Sequence, residues 1–204
     1  MRRGAFIVLE GCDRSGKSTQ CKRLLEMLGE DGVYMKFPDR STTIGNTINE
    51  YLQKGIEMHD KAIHLLFSAN RWEKVSEIER LLTSGKTIIA DRYAYSGVAY
   101  SSIKSGLNLD WCKSSDVGLI RPDLVLYLSI DSRLTMSREG FGDERYERID
   151  IQSKVHQRFL EMKEDYWKII DASKSIDNVF ADTCSLVRET VDKVSDKQLQ
   201  YLWI

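Results

Sequence analysis

The chain contains only two prolines, Pro38 and Pro122, in 204 residues. There is also no glycine- or serine-rich stretch and no repeat, which excludes a low-complexity architecture and leaves no linker at which to divide the chain. Cysteine is sparse too. Cys12, Cys21, Cys112 and Cys184 form no C-x-x-C pair, which argues against a disulfide framework or a zinc site and assigns most of them to small-residue packing. No apolar run approaches membrane-spanning length. A charge of one sign is missing as well: 30 Lys and Arg against 31 Asp and Glu leave a net charge of −1, with no basic excess to suit nucleic acid or a membrane surface. Arg2 and Arg3 precede an apolar stretch that is short and reads as a strand, so no signal peptide is expected. Together with the unpaired cysteines, this points to a reducing, cytosol-like compartment. The remaining composition, 42% hydrophobic and 30% charged, is that of a globular protein. The length suits one good α/β core, expected to span 1–204, whereas two separate domains would be small.

The most informative stretch present is Gly11-Cys12-Asp13-Arg14-Ser15-Gly16-Lys17-Ser18, which fits the phosphate-binding pattern G-x-x-x-x-G-K-[ST]. The apolar run Ala5–Leu9 before it reads as a buried strand, and Thr19–Leu28 after it has apolar residues at helical spacing. The two glycines let the backbone approach an anion closely. Successive N–H groups at a helix N-terminus then hold phosphate oxygens. Lys17 adds a point charge, and the Ser18 hydroxyl is placed to ligate Mg²⁺.

Further strands are expected at Val33–Phe37, stopped by Pro38, and at Thr87–Ala90, Leu124–Leu128 and Trp167–Ile170. Helical patterns run over Ile44–Leu52, as one long element over Ala62–Leu82, and over about Ile176–Val194. This alternation predicts a three-layer α/β/α fold with a five-stranded parallel sheet, whose ligands bind at the carboxyl ends of the strands. Three arginines fall near that edge: Arg40 after the second strand, Arg92 after the third, and Arg71 in the long helix. Each alone suits a solvated salt bridge equally well, but as a set beside a phosphate loop they favour phosphate and base recognition. Asp91 closes its strand where P-loop proteins place a magnesium-side aspartate, and it would serve equally as a helix cap. The charged, glycine-interrupted segment at about 138–148 suits a lid carrying arginines, or an ordinary solvated loop. His59, His64 and His156 lack metal-ligand spacing, and His64 reads as a packing or hydrogen-bonding residue. Phe67 and Trp72 read as core residues, with neighbouring Arg71 making Phe67 a candidate stacking platform.

Taken together, these blocks resemble thymidylate kinases of the eukaryotic and large-DNA-virus kind over nearly the full length. The resemblance rests on Glu10–Gln20, Phe37–Thr42, His64–Glu73, Asp91–Tyr100, Pro122–Val125, Gly142–Glu147 and Asp171–Ser175, of which the first and fourth are the most specific. It implies a P-loop NTPase fold and the transfer of phosphate from ATP to dTMP with Mg²⁺, in a homodimer in the cytoplasm or nucleus with no nucleic-acid or membrane partner. Lys17, Arg14, Asp91 and Arg92 would be catalytic, with Ser18 and Asp91 at the metal. Gly11, Asp13, Arg14, Ser15, Gly16, Lys17, Ser18 and Thr19 would bind ATP, with Arg138 under the lid and Ser173 and Lys174 near adenine. Asp13 would also bond the acceptor's 3′-hydroxyl, and Arg40 and Arg92 would hold its phosphate. Phe67 would stack on thymine, Arg71 would bond its carbonyl edge, and Tyr100 would sit against the deoxyribose C2′. Phe37, Gly97 and Tyr146 complete the expected substrate set. Two positions depart from the family pattern: Cys12, where an aliphatic residue is common, and Asp39, where glutamate is frequent.

Two other readings compete. A kinase for uridylate, cytidylate or a broader set of deoxynucleotides would share the phosphate loop, but Phe67, Arg71 and Tyr100 favour thymidylate. A GTP-dependent switch protein would need an Asn-Lys-x-Asp run, and none occurs.

Overall fold

The computed structural model describes residues 2–131 and 144–204. Five parallel strands, β1 (Phe6–Glu10), β2 (Gly32–Lys36), β3 (Thr87–Asp91), β4 (Leu124–Ser129) and β5 (Trp167–Asp171), form one sheet in the order β2-β3-β1-β4-β5. Among the described residues the α-helices are α1 (Lys17–Leu28), α2 (Thr43–Leu52), α3 (Asp60–Trp72), α4 (Val75–Thr83), α5 (Ala94–Ser101), α6 (Leu109–Ser114), α7 (Ile149–Glu161) and α8 (Ile176–Val194). The expected α/β class and five parallel strands are as the sequence reads.

Central strands β1 and β3 are buried along their whole length. A strand covered on both faces must be apolar at every position, which is why these segments read as continuous runs rather than alternating ones. The pleat sends Phe6 and Val8 into one core with Ile88, Ala90, Tyr95, Tyr127 and Phe159, beneath α5 and α7. Ile7 and Leu9 point the other way, into a core with Leu24, Ile89, Leu126 and Val187, beneath α1 and α8. A third cluster, Ile48, Tyr51, Leu52 and Ile63, joins α2 to α3.

The crossover from β1 packs α1 on one face, and the connection from β3 packs α5 on the other. A crevice therefore opens between the carboxyl ends of β1 and β3, as expected where connections diverge from neighbouring strands.

The single helix expected over Ala62–Leu82 is two helices, broken at Glu73–Lys74. The apolar spacing runs through the break, but the hydrogen bonds do not. The Lys74 N–H donates to Arg71 O, one residue short of helical register, while its ammonium pairs with Asp39 at 2.9 Å and Glu77 at 3.2 Å. The turn lets α3 pack on α2 and α5 while Ile78 and Leu82 of α4 reach the sheet core. Trp72, expected in the core, is 41% exposed, with its Nε1–H donating to Ser115 O at 2.8 Å.

Candidate active site

The loop after β1 crosses the crevice with its glycine backbone tight against β4. A Cβ on Gly11, whose φ is +149°, would lie 2.7 Å from Leu128 O. Lys17 opens α1 with its ammonium folded back on the loop, donating to Cys12 O at 2.7 Å, Gly11 O at 3.1 Å and Ser15 Oγ at 3.3 Å. Burial, reinforced by the Arg92 charge, pulls its pKa down to about 8. A buried ammonium whose direct hydrogen-bond acceptors are all neutral is the local chemistry that a phosphate chain would satisfy.

Ser18 Oγ donates to Asp91 Oδ2 at 2.6 Å, joining the start of α1 to the end of β3. Tyr34 Oη donates to the same oxygen at 3.4 Å. These are hard oxygen donors of the type Mg²⁺ takes, and few enough to suit an ion that keeps waters and substrate phosphates in its shell. Among the described residues no cluster of three or more His, Cys, Asp or Glu is placed to hold a metal by itself. The alternative role for Asp91, capping the next helix, falls to another residue. Buried Glu10 accepts the N–H groups of Tyr93 at 2.9 Å and Ser96 at 3.1 Å, and Ser96 Oγ at 2.6 Å. Burial pushes the Glu10 carboxyl pKa up.

Arg92 takes a left-handed φ of 71°, which turns its side chain back across the loop. Nη1 donates to Gly11 O and to Ser96 Oγ, each at 3.0 Å, and Nη2 donates to Asp13 Oδ1. Asp13 Oδ2 accepts Tyr100 Oη at 2.9 Å and Gln152 Nε2 at 2.7 Å. Burial works to raise the Asp13 pKa, but Arg92, Lys17 and these donors outweigh it and hold the carboxyl below its usual range. Burial pushes the neighbouring Cys12 thiol up to about 11, so the thiol in the loop stays protonated.

The crevice widens into a cavity of about 800 Å³. Asp13, Arg14, Gly16, Lys17, Ser18, Thr19 and Asp91 line its loop side. Phe37, Arg40, Phe67, Arg71, Arg92, Gly97 and Tyr100 line the same cavity. Phe67, read as core by default, is half-buried with one side on the α2–α3 cluster and the other in the cavity. Of the lid segment, only 144–148 lies within the described residues. Glu144, Tyr146 and Glu147 line the cavity, and Glu144 and Glu147 pair with Arg40 at 2.7 Å and Arg14 at 3.2 Å. Arg138 lies outside the described residues. Gly11 and Ser15, also in the loop, are buried and do not line the cavity. Ser173 and Lys174, after β5, are not on that wall either: Ser173 Oγ bonds Asp171 Oδ1 at 2.6 Å and Lys174 pairs with Asp182 at 2.8 Å. His64 is buried and bonded to Ser101 Oγ at 2.8 Å and Cys112 O at 3.0 Å.

A family model described as thymidylate kinase matches residues 9–183. The chain belongs to the thymidylate kinase family. It is 48% identical to the thymidylate kinase of Arabidopsis thaliana, over 98% of this chain and 78% of that protein. It is 46% identical to the human thymidylate kinase, over 99% of this chain and 98% of that one. The solved structure of thymidylate kinase from Candida albicans superposes with a TM-score of 0.90 at 42% identity, covering 98% and 99% of the two chains. That structure is described as revealing the origin of broad substrate specificity and a novel structural element.

Glu10, which holds Tyr93 and Ser96, Gln152, which holds Asp13, and Asp116, which holds Arg71, have no role assigned from the sequence. Glu10 shows in the sequence only as the end of an apolar strand and the first residue of the Glu10–Gln20 block, and Gln152 and Asp116 give no signal.

Proposed function

We propose a division of labour for the reaction this cavity carries. The chain is a nucleoside monophosphate kinase that phosphorylates dTMP to dTDP with ATP and Mg²⁺, a step toward dTTP. The observation that supports the residue roles is that the phosphate loop and the set Arg40, Phe67, Arg71, Arg92 and Tyr100 line one and the same cavity.

The N–H groups of the loop and Lys17 would hold the donor phosphates at the N-terminus of α1. Ser18 and Asp91 would hold Mg²⁺, which neutralises charge on the phosphate oxygens. Arg92, already fixed by three acceptors, and Arg40 would clamp the acceptor phosphate so that one of its oxygens faces the γ-phosphorus in line. Transfer forms that P–O bond and breaks the bond to the β-phosphate oxygen, releasing ADP. Arg14, projecting from the loop, would neutralise the transferring group. Phosphoryl transfer needs positioning and charge neutralisation more than covalent chemistry from the protein. Asp13 would accept the acceptor's 3′-hydroxyl, Phe67 would stack on the base, Arg71 would meet its carbonyl edge beside Gly97, and the Tyr100 ring would face C2′. Thr19 would support the donor side, and Phe37 and Tyr146 the acceptor side. Arg138, Ser173 and Lys174 would serve the ATP side. A closed lid would keep water from the donor phosphate.

A coupled assay of ATP against dTMP, dUMP, dGMP, dCMP and UMP tests this reading. Highest kcat/KM with dTMP is expected, and comparable rates with a purine acceptor would overturn the assigned base contacts.

A homodimer and a cytoplasmic or nuclear location carry over from the resemblance. Leu65 and Trp72 on α3 and neighbouring Val117 expose apolar side chains that a second copy would cover. Sedimentation at micromolar concentration should give twice the chain mass, and Leu65→Glu should halve it. All four cysteines are free, which suits a reducing compartment.

A further inference from the structure

The orientation of Arg71 is decided by what its guanidinium is tied to. Its side chain is 3% exposed, and its partner Asp116, in the turn after α6, is fully buried. Asp116 accepts Nη2–H on Oδ2 at 2.6 Å and Nε–H on Oδ1 at 3.2 Å, a side-on two-bond pairing that only a carboxylate can make with this fork. Ser68, three residues before Arg71 on α3, donates to Oδ1 at 2.7 Å. The Asp116 N–H closes its own turn onto Lys113 O at 2.9 Å. From the side of α5, Gly97 leaves room for the guanidinium and no more: a Cβ there would sit 2.8 Å from Nη2 and 2.9 Å from Nη1. Two edges of the group are therefore held by protein, and Arg71 is on the cavity wall.

We propose that Asp116 is a positioning residue for acceptor-base selectivity, locking Arg71 so that its remaining N–H bonds meet a pyrimidine carbonyl and cannot retreat from an exocyclic amine. The inference rests on the reading that Arg71 faces the acceptor base. A guanidinium has donors and no acceptor. Against a carbonyl it bonds, and against an amino group, donor meets donor and both are left unpaired. That penalty discriminates only if the arginine cannot swing aside, because a mobile side chain would move and relax it. Selectivity is thus assigned to the rigidity that Asp116, Ser68 and Gly97 impose.

The test compares kcat/KM for dTMP, dUMP and dCMP, with dCMP measured by displacement of dTMP where its turnover is undetectable. Asp116→Asn keeps the shape but offers one acceptor oxygen for two N–H groups. The dTMP-to-dCMP preference should fall about tenfold or more, with dTMP and dUMP weakening together and the KM for ATP within about twofold. In an Arg71→Ala background, adding Asp116→Asn should change the preference by less than about twofold, because Asp116 acts through Arg71. An unchanged preference in Asp116→Asn, with a fall in Arg71→Ala, overturns the proposal and leaves the base reading standing. No fall in Arg71→Ala overturns both. If Asp116→Asn does not fold, Ser68→Ala keeps both charges and decides: about a threefold fall in preference is expected, and no change overturns the proposal.

Discussion

Gln152 holds Asp13 at both its backbone and its side chain. Gln152 Oε1 accepts the Asp13 N–H at 2.9 Å, and Nε2 donates to Asp13 Oδ2 at 2.7 Å and to Tyr146 O at 2.8 Å. One fully buried amide thus ties the phosphate loop to the described part of the lid segment. A carboxylate in its place could still accept the N–H, but it could not donate, and it would set a like charge beside Asp13. Gln152→Glu should therefore cost about a hundredfold in kcat/KM for dTMP and Gln152→Ala about tenfold. Steady-state kinetics at pH 7.5 check this, and equal losses in the two variants would mean that Asp13 is not held through this amide.

ATP binding should take up a proton at alkaline pH. In the free protein the Lys17 pKa is about 8, lowered by burial and Arg92. A bound phosphate chain stabilises the ammonium and raises that pKa. Affinity is then full below pH 8 and falls above it, by at most about tenfold per pH unit. Stability of the free protein moves oppositely, rising between pH 8 and the unfolded value near 10.5, because the unfolded chain binds the extra proton there. Calorimetry at pH 9 in two buffers of different ionisation enthalpy should give close to one proton bound per ATP. The uptake should vanish in Lys17→Met, with kcat below about a tenth of wild type. No uptake in the wild type would contradict the role given to Lys17.

Arg92→Lys should be harmful although charge is conserved. The backbone φ of 71° is equally unusual for either residue, so the comparison isolates the side chain. One ammonium on a flexible stem cannot keep Gly11 O, Ser96 Oγ and Asp13 together while also facing a phosphate. A loss of about a hundredfold in kcat/KM for dTMP is expected, with the Kd for ATP within about threefold. Equal weakening of ATP binding would place Arg92 on the donor side.

Tyr100 joins two roles that separate by mutation. Its hydroxyl donates to Asp13, while its ring lines the cavity. Burying a 2′-hydroxyl without a partner costs about 1–3 kcal/mol, roughly tenfold to a hundredfold in selectivity. Tyr100→Ala should raise the activity ratio of ribothymidine monophosphate to dTMP, while Tyr100→Phe, which keeps the ring, should lower overall activity with the ratio intact. If Phe raises the ratio as much as Ala, the gate is the Asp13 contact and not the ring.

The sequence by itself determined the five strands, the first and last helices and the phosphate-loop motif. The phosphate loop, the two buried central strands and the span of α8 were legible because their signals are local: glycine spacing, a continuous apolar run and 3.6-residue periodicity. Periodicity also misled. It carried straight through Glu73–Lys74, where a turn toward Asp39 breaks the helix, and it could not say that Trp72 lies on a face left uncovered in the single chain. Tertiary structure alone decided which buried polar groups hold the residues that line the cavity. Glu10 reaches Ser96 across 86 positions, Arg71 reaches Asp116 across 45, and Asp13 reaches Gln152 across 139. A buried carboxylate or amide is stable only where the fold supplies its hydrogen-bond partners. No pattern along the chain encodes that meeting, because the partners become neighbours only when β1, α5, α6 and α7 have packed around one sheet edge.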